Sequence, residues 1–193
     1  MRNVLSAIDR HYKLSNQSKK LIIDELEAIR MEKGTVLIHD HSPSAYLYFI
    51  EEGAVKNYYI DEKGNNQVVW FGFEGDISFS LNAYINMPYI HETTELIEDS
   101  LFYRVKISHV KTLYKDYCDW ANWGRCFVEY IFIQTVRELD ENKALPAKER
   151  YRKLIGHNQN VKERVPLKDI ASYLGVSPVT ISRLRKELDD STS

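Results

Sequence analysis

The sequence has few cysteines and no long apolar run, and these two absences exclude several classes of protein. Cys118 and Cys126 are its two cysteines, too few for a disulfide framework or a four-cysteine cluster. No apolar stretch approaches the roughly 20 residues needed to cross a bilayer. The first residues also lack an apolar core of signal-peptide length. We therefore predict a cytoplasmic protein with no membrane partner.

Basic residues are concentrated towards the C-terminus, although the net charge of the whole chain is only −2. Residues 147–188 hold ten Lys or Arg and four Asp or Glu, a net charge of +6. The remaining residues hold 16 Lys or Arg and 24 Asp or Glu, a net charge of −8. This distribution suits one end of the chain to a polyanion such as a nucleic acid.

The pattern between residues 33 and 106 is typical of short antiparallel strands. Runs rich in Val, Ile, Tyr and Phe alternate with turn signals such as Gly53 and Gly75. Strands at this spacing predict a small antiparallel barrel or jelly roll. Two helices are predicted before it, at Val4–His11 and Asn16–Ile29. The predicted strands include Tyr46–Ile50, Val55–Ile60, Gln67–Phe73, Glu92–Ile97 and Leu101–Val105.

A long helix is predicted over Trp120–Leu139, and it carries two apolar stripes. Two stripes require two surfaces to cover them. We expect one stripe to pack on the barrel and the other on a second copy of the chain, because symmetric dimers are the common oligomer. Burial of the whole helix within one monomer is the alternative. The residues assigned to a dimer helix are Trp123, Phe127, Val128, Ile131, Phe132 and Val136.

Residues 167–188 have the pattern of a helix-turn-helix that binds DNA. The segment Lys143–Pro146 breaks the long helix and is the predicted hinge. Gly175 supplies the positive φ that a tight turn between helices needs. Ser177 then caps the second helix, with Pro178 at its first position. The inward-facing residues are Ile170, Ala171, Leu174, Val176, Ile181, Leu184 and Leu188.

The outward face of the second helix is predicted to contact DNA. Arg183 is assigned a bidentate contact with guanine, and Thr180 and Ser182 are assigned to phosphate or a base. A generic two-helix hairpin with a solvated basic face is the alternative. The assigned residues are Lys168, Ser177, Pro178, Val179, Thr180, Ser182, Arg183, Arg185 and Lys186, of which Lys168, Arg185 and Lys186 are expected at the phosphate backbone.

The order of these elements resembles the Crp–Fnr superfamily of transcription regulators. The motifs that carry the resemblance are Tyr46–Gly53, Phe73–Ile77, Ala147–Tyr151 and Ile170–Ser177. It implies an α+β fold with a cyclic-nucleotide-binding-like β-roll (residues 1–115), a dimerisation helix (116–143) and a winged helix-turn-helix domain (144–193). It also implies a homodimeric, non-enzymatic regulator without a cofactor. The implied partners are double-stranded DNA, RNA polymerase and an unidentified small effector.

The sequence departs from the cyclic-nucleotide binders of this family at two places. Phe79-Ser80 stands where their Gly-Glu pair would be, and Met87–Glu92 contains no Arg to pair with a cyclic phosphate. A buried phosphate without a positive partner is costly, so we predict that cyclic AMP does not bind with ordinary affinity. Pro178-Val179 also replaces the family's Arg-Glu, so the DNA target should differ. The effector pocket implied by the resemblance comprises Trp70, Phe79, Ser80 and Tyr89.

Two other functions remain open at this level. His39 and His41 have the spacing of a metal-binding pair in cupin enzymes, and His91 and Glu92 are possible further ligands. Cupins place their glutamate a few residues after the pair, where this chain has Ser44, Ala45 and Tyr46. The second alternative is a sensor or scaffold whose helix-turn-helix no longer binds DNA.

Overall fold

Eight strands form two facing four-stranded antiparallel sheets in the N-terminal part of the protein. The computed structural model describes residues 1–42, 44–85 and 91–190. The strands are β1 (Glu27–Met31), β2 (Val36–Ile38), β3 (Tyr46–Glu52), β4 (Val55–Ile60), β5 (Asn66–Gly72), β6 (Ile77–Phe79), β7 (Thr93–Leu96) and β8 (Ser100–Lys106). One sheet has the order β1–β8–β3–β6 and the other the order β2–β7–β4–β5. This arrangement confirms the predicted β-roll.

The turn between β3 and β4 shows why glycine is needed where the strands cross closely. Gly53 has φ +108°, and a Cβ built on it would lie 2.1 Å from Oγ of Ser100. Any other side chain would therefore collide with the start of β8. The next hairpin, between β4 and β5, is closed by the Asp61 carboxylate, which accepts the backbone N–H groups of Lys63 and Asn65.

Helices pack beside the β-roll and lead into the long helix. They are α1 (Arg2–His11), α2 (Asn16–Ile23), α3 (Leu81–Ile85), α4 (Ile107–Asp116) and α5 (Cys118–Ala144). The indole N–H of Trp120 donates to the Ser18 carbonyl at 3.1 Å, and that of Trp123 donates to the Ile8 carbonyl at 2.7 Å. Both indoles are buried. The first half of α5 is thereby fixed to α1 and α2.

The second predicted helix is shorter than its apolar pattern indicates. It ends at Ile23, and Ile29 lies in strand β1 opposite Phe102 of β8. The prediction of a helix over Asn16–Ile29 is wrong beyond Ile23. Cross-strand pairing with β8 decides the conformation of this segment, because it gives one edge of the strand hydrogen-bond partners that local periodicity does not reveal.

Four further helices form the C-terminal part: α6 (Ala147–His157), α7 (Gln159–Arg164), α8 (Leu167–Leu174) and α9 (Pro178–Asp190). Leu145 and Pro146 separate α5 from α6, within the predicted hinge. Between residues 147 and 190 the structure contains helix and turn but no strand. The wing implied by the resemblance is therefore not found there. Asn158 caps α7 by accepting the N–H of Asn160.

Among the described residues, no helix combines the length and apolarity required of a membrane span.

Candidate nucleic-acid interface and cavity

Helices α8 and α9 are joined by the tight turn that the sequence predicts. Gly175 ends α8 in the left-handed region, with φ +63° and ψ +35°. Its N–H and that of Val176 return to the carbonyls of Ser172 and Ala171 at 3.1 and 3.0 Å. These bonds satisfy carbonyls that would otherwise lack partners at the helix end. Gly175 therefore sets the direction in which α9 leaves.

Ser177 begins the second helix of this unit. Its Oγ accepts the N–H of Thr180 at 3.2 Å and contacts the Thr180 hydroxyl at 2.9 Å. Pro178 is the first residue of α9. The predicted cap is thus present, and the hydroxyls of Ser177 and Thr180 are hydrogen-bonded to each other. The side chains that hold the two helices together are Ile170, Ala171, Leu174, Ile181 and Leu184, all buried as predicted.

The outward face of α9 presents most of the side chains predicted to contact DNA. Val179 is 78% exposed, and the Arg183 side chain is 72% exposed. Arg183 has one recorded ion pair, a loose one of 3.8 Å with Glu187, so its guanidinium is accessible to a ligand. Thr180 is half-buried. The other exposed members of the predicted set are Lys168, Ser177, Pro178, Ser182 and Lys186.

Arg185 differs from its predicted placement at the phosphate backbone. Its Nε donates to the Tyr151 hydroxyl at 3.4 Å, and its Nη2 donates to the Lys162 carbonyl at 3.1 Å. The side chain is half-buried and connects α9 with α6 and α7. Arg185 thus holds helices of the C-terminal part together, and the phosphate contact expected of it is not supported by its position.

Helix α8 also packs on strand β5 of the roll. Lys56 of β4 and Asp169 of α8 are both buried, and Nζ of Lys56 lies 3.3 Å from the Asp169 carboxylate. The hydroxyl of Ser172 accepts the Val68 N–H at 3.0 Å and donates to the Asn66 carbonyl at 2.6 Å. Removing one member of a buried ion pair typically costs about 3–5 kcal/mol. This contact fixes α8 on the sheet.

A second ionic contact joins α7 to the turns of the roll. Arg164 lies between Glu74 and Glu98, with a distance of 2.8 Å from Nη2 to the nearer Glu74 oxygen. Burial acts to raise the pKa of Glu74, but hydrogen bonds from Arg164 and the Gly53 N–H outweigh it and lower that pKa below its usual value. The same carboxylates raise the pKa of Arg164. The Arg164–Glu74 ion pair, with Glu98 beside it, reinforces the docking of the C-terminal helices.

One apolar stripe of α5 is buried within the chain, and the other is largely exposed. Trp120, Trp123 and Phe127 are buried against α1, α2 and α4, and Ile131 packs beside them. Trp123 and Phe127 are consequently occupied within one chain and are not available to a second copy, contrary to their assignment as dimer residues. From Val128 onwards, which we call the second half of α5, the exposed apolar side chains are Val128 (49%), Phe132 (68%), Ile133 (47%), Val136 (39%) and Leu139 (53%), and the Tyr130 side chain is 41% exposed.

An open cavity of about 850 Å³ lies between the roll, α5 and α8. Trp70 and Phe79 line it, as the predicted effector pocket requires, whereas Ser80 is fully buried behind its wall. Tyr89, the fourth predicted pocket residue, lies outside the described residues. The turn residue Gly175 also lines the cavity, which therefore extends from the roll to the junction of α8 and α9.

A buried carboxylate lies in the cavity wall. Glu92 is 5% exposed, and one of its oxygens accepts the Ser80 hydroxyl at 2.8 Å and the Asn82 N–H at 3.4 Å. Neither donor carries a charge. Among the described residues, no Lys, Arg or His forms a recorded ion pair with Glu92.

The histidines considered as metal ligands lie at the rim of the roll. His91 Nδ1 lies 3.0 Å from the Asp40 carboxylate, and His41 Nε2 lies 3.6 Å from it. Glu92 faces Ser80 instead. Within residues 1–42, 44–85 and 91–190 no group of three His, Cys, Asp or Glu has a geometry that would hold a metal ion. The cupin hypothesis thus receives no geometric support from these side chains.

The sheets coincide with a known domain family. Comparison with family models matches residues 28–117 to the cyclic nucleotide-binding domain. A search of curated protein sequences found no match to the chain.

Solved structures extend the similarity from the cyclic nucleotide-binding domain to nearly the whole chain. A Eubacterium rectale protein named for the Crp/Fnr family of transcriptional regulators has 19% identity and a TM-score of 0.71, covering 92% of this chain and 85% of its own. FixK2 from Bradyrhizobium japonicum has 19% identity and a TM-score of 0.70, covering 86% of each chain. The c-di-GMP-responsive regulator CLP from Xanthomonas campestris has 13% identity and a TM-score of 0.69, covering 92% and 93%. The chain has the Crp/Fnr regulator fold.

Two features of the roll were not found from the sequence. Lys56 follows Val55 in a strand, and alternation places it only on the opposite face of the sheet. Nothing local identifies Asp169, more than a hundred residues later, as its partner. The role of Glu92 was also missed, since it was considered only as a metal ligand. The Ser80 that replaces the family's glutamate was the available signal, because a hydroxyl there can donate to a carboxylate.

Proposed function

We propose that this protein is a sequence-specific DNA-binding transcription regulator that acts as a homodimer. The observation that carries the proposal is the exposed face of α9, on a chain with the Crp/Fnr regulator fold. Its first turn is accessible, and Arg183 projects from the next turn with a guanidinium suited to a guanine edge. Lys168 and Lys186 flank it at positions suited to phosphate. RNA polymerase remains a partner predicted from the resemblance.

The homodimer is proposed from the second half of α5. Its apolar side chains lie along one helix and are 39–68% exposed in the described chain, which favours pairing with the same helix of a second copy. A two-fold dimer would present two α9 helices to two half-sites of a palindromic DNA sequence. The proposed interface is the apolar set Val128, Phe132, Ile133, Val136 and Leu139.

The proposal includes modulation by a small effector in the cavity. The cavity walls come from the roll, from α5 and from α8, so one bound molecule would contact the sensor domain, the proposed dimer helix and the DNA-binding unit together. A ligand shifts activity only when it binds one conformation more tightly than another. Contact with Gly175 gives such a ligand direct access to the turn that orients α9.

Selection from random-sequence duplex DNA at low salt tests the proposed function. We expect a palindromic motif to be enriched, with Arg183→Ala losing about 1–3 kcal/mol of binding free energy and relaxing one position in each half-site. Arg30→Ala is the matched control, because its side chain is 73% exposed against 72% for Arg183 and it lies in β1. Failure to enrich any motif would favour the scaffold alternative. An equal loss on all sequences would reduce Arg183 to a phosphate contact.

A further inference from the structure

The cavity wall combines flat aromatic side chains with a carboxylate. Trp70 and Phe79 supply the aromatic surface on the side of the roll, and Phe127 and Tyr130 supply it from α5. Glu92 lines the same cavity while being almost completely buried. A small molecule in this space would therefore meet aromatic rings and the Glu92 carboxylate, among other ionisable groups.

The other ionisable groups of the cavity are engaged or neutral. Asp76 pairs with Arg10 at 3.1 Å. Burial, together with the charge of Arg10, lowers the pKa of His11 to about 4, so its imidazole is neutral at pH 7. Burial raises the pKa of Glu138, and Arg150 lies at the α8 end of the cavity, where its charge acts on Tyr173. Glu92 differs from these because its recorded partners are an uncharged hydroxyl and an amide N–H.

A buried carboxylate without a cation is unfavourable, and its free energy falls when a cation or a strong hydrogen-bond donor reaches it. The same carboxylate repels a phosphate. Aromatic faces add to this preference, since ring quadrupoles attract positive charge. The electrostatics around Glu92 are thus the reverse of those that a cyclic phosphate needs.

We propose that this cavity binds a small cationic molecule with a flat apolar body, such as an aromatic amine or amidine. The nitrogen of the ligand donates to the Glu92 carboxylate, and its body lies against Trp70 and Phe79. Ser80 is a positioning residue that keeps one Glu92 oxygen occupied and leaves the other for the ligand. The inference rests on the proposed function only in so far as the ligand would change DNA binding. Ligand binding itself requires neither DNA nor a second copy.

A panel of aromatic fragments in matched pairs tests the charge preference. Each pair shares one ring system, as tryptamine and indole-3-acetate do, and carries either an ammonium or a carboxylate. Binding to the full chain is measured by ligand-observed NMR and by thermal shift, without DNA. We expect the amine to bind at least about tenfold more tightly within a pair, a difference of about 1.4 kcal/mol. Glu92→Gln should remove the preference, and Glu62→Gln, the same change in an exposed turn, should keep it.

Two results would overturn the inference. One is equal or better binding of the carboxylates, or binding of neither series. The other is an amine preference that persists in Glu92→Gln when that variant keeps the wild-type unfolding transition. The DNA selection is run without ligand, so a motif enriched there together with no amine preference would leave the proposed function in place and reject only the ligand class.

Discussion

The two halves of α5 are similar in apolar content and opposite in environment. In the first half Trp120, Trp123 and Phe127 are buried, and the two indole N–H groups donate to carbonyls of α1 and α2. In the second half Phe132 is 68% exposed, although it belongs to an equally regular stripe. Helical periodicity therefore identifies an apolar face that needs to be covered, whereas only the fold shows whether the same chain covers it.

Truncating a buried side chain in the first half of α5 should lower the free energy of unfolding most. Trp123→Ala removes a buried indole and its bond to the Ile8 carbonyl, so we expect a loss of about 3–5 kcal/mol in the free energy of unfolding. Val128→Ala, on the exposed stripe five residues further along, should change it by less than about 0.5 kcal/mol at concentrations where the chain is monomeric. Urea unfolding followed by circular dichroism measures both. Similar losses in the two variants would remove the distinction between the halves.

A charge introduced among the exposed apolar side chains of the second half of α5 should disrupt the proposed dimer. Phe132→Glu should weaken self-association by at least about 2 kcal/mol, because it places a carboxylate at the centre of the proposed interface. Sedimentation velocity over a concentration series measures this change. Ile60→Glu is the control, since Ile60 is 63% exposed but lies in the hairpin of the roll. A wild-type chain that stays monomeric throughout the series would contradict the homodimer.

A smaller effect on stability is expected from pH, through a histidine that packs on the first half of α5. His11 packs against Trp123, Phe127 and Tyr130 of the covered half. Burial, aided by Arg10, lowers its pKa from 6.5 to about 4. The folded protein therefore binds fewer protons than the unfolded chain between these values, so this contribution to stability is complete above pH 6.5 and is lost as the pH falls towards 4.

Urea unfolding at pH 7 and pH 5 measures this dependence. We expect His11→Gln to lose less stability than the wild type between these two values, because glutamine takes up no proton. His41→Gln is the control, as the His41 side chain is 90% exposed. Equal losses in all three proteins would exclude His11 as the responsible group.

Local signals explain which parts of the molecule could be predicted. Gly175, Ser177 and Pro178 specify their own conformations through φ, capping and ring geometry, so the turn between α8 and α9 follows from neighbouring residues alone. The strands that flank Gly53 follow for the same reason. A strand such as β1 could not be predicted, because its conformation depends on β8, some seventy residues later.

The candidate site divides in the same way. The exposure of Arg183 and Val179 follows from helical phase, but Arg185, two residues further on, bonds to Tyr151 and to the Lys162 carbonyl. These hydrogen bonds depend on how α6 and α7 pack against α9, and the helical periodicity of α9 does not predict that packing. The long-range ion pair between Lys56 and Asp169 is hidden for the same reason.

The docking of α8 on β5 limits how evolution or design can recombine this protein. The side chains that hold the unit to the sheet, Asp169 and Ser172, belong to the same short helix that packs against α9. A chimera that imported residues 145–190 from a relative with no acid at the Asp169 position would lose the 3.3 Å ion pair of the buried Lys56 and leave its ammonium to Glu95 of the roll, 3.5 Å away. The natural unit of exchange therefore includes Lys56 and residues 66–72 of the roll, and the segment proposed to bind DNA is not an interchangeable module.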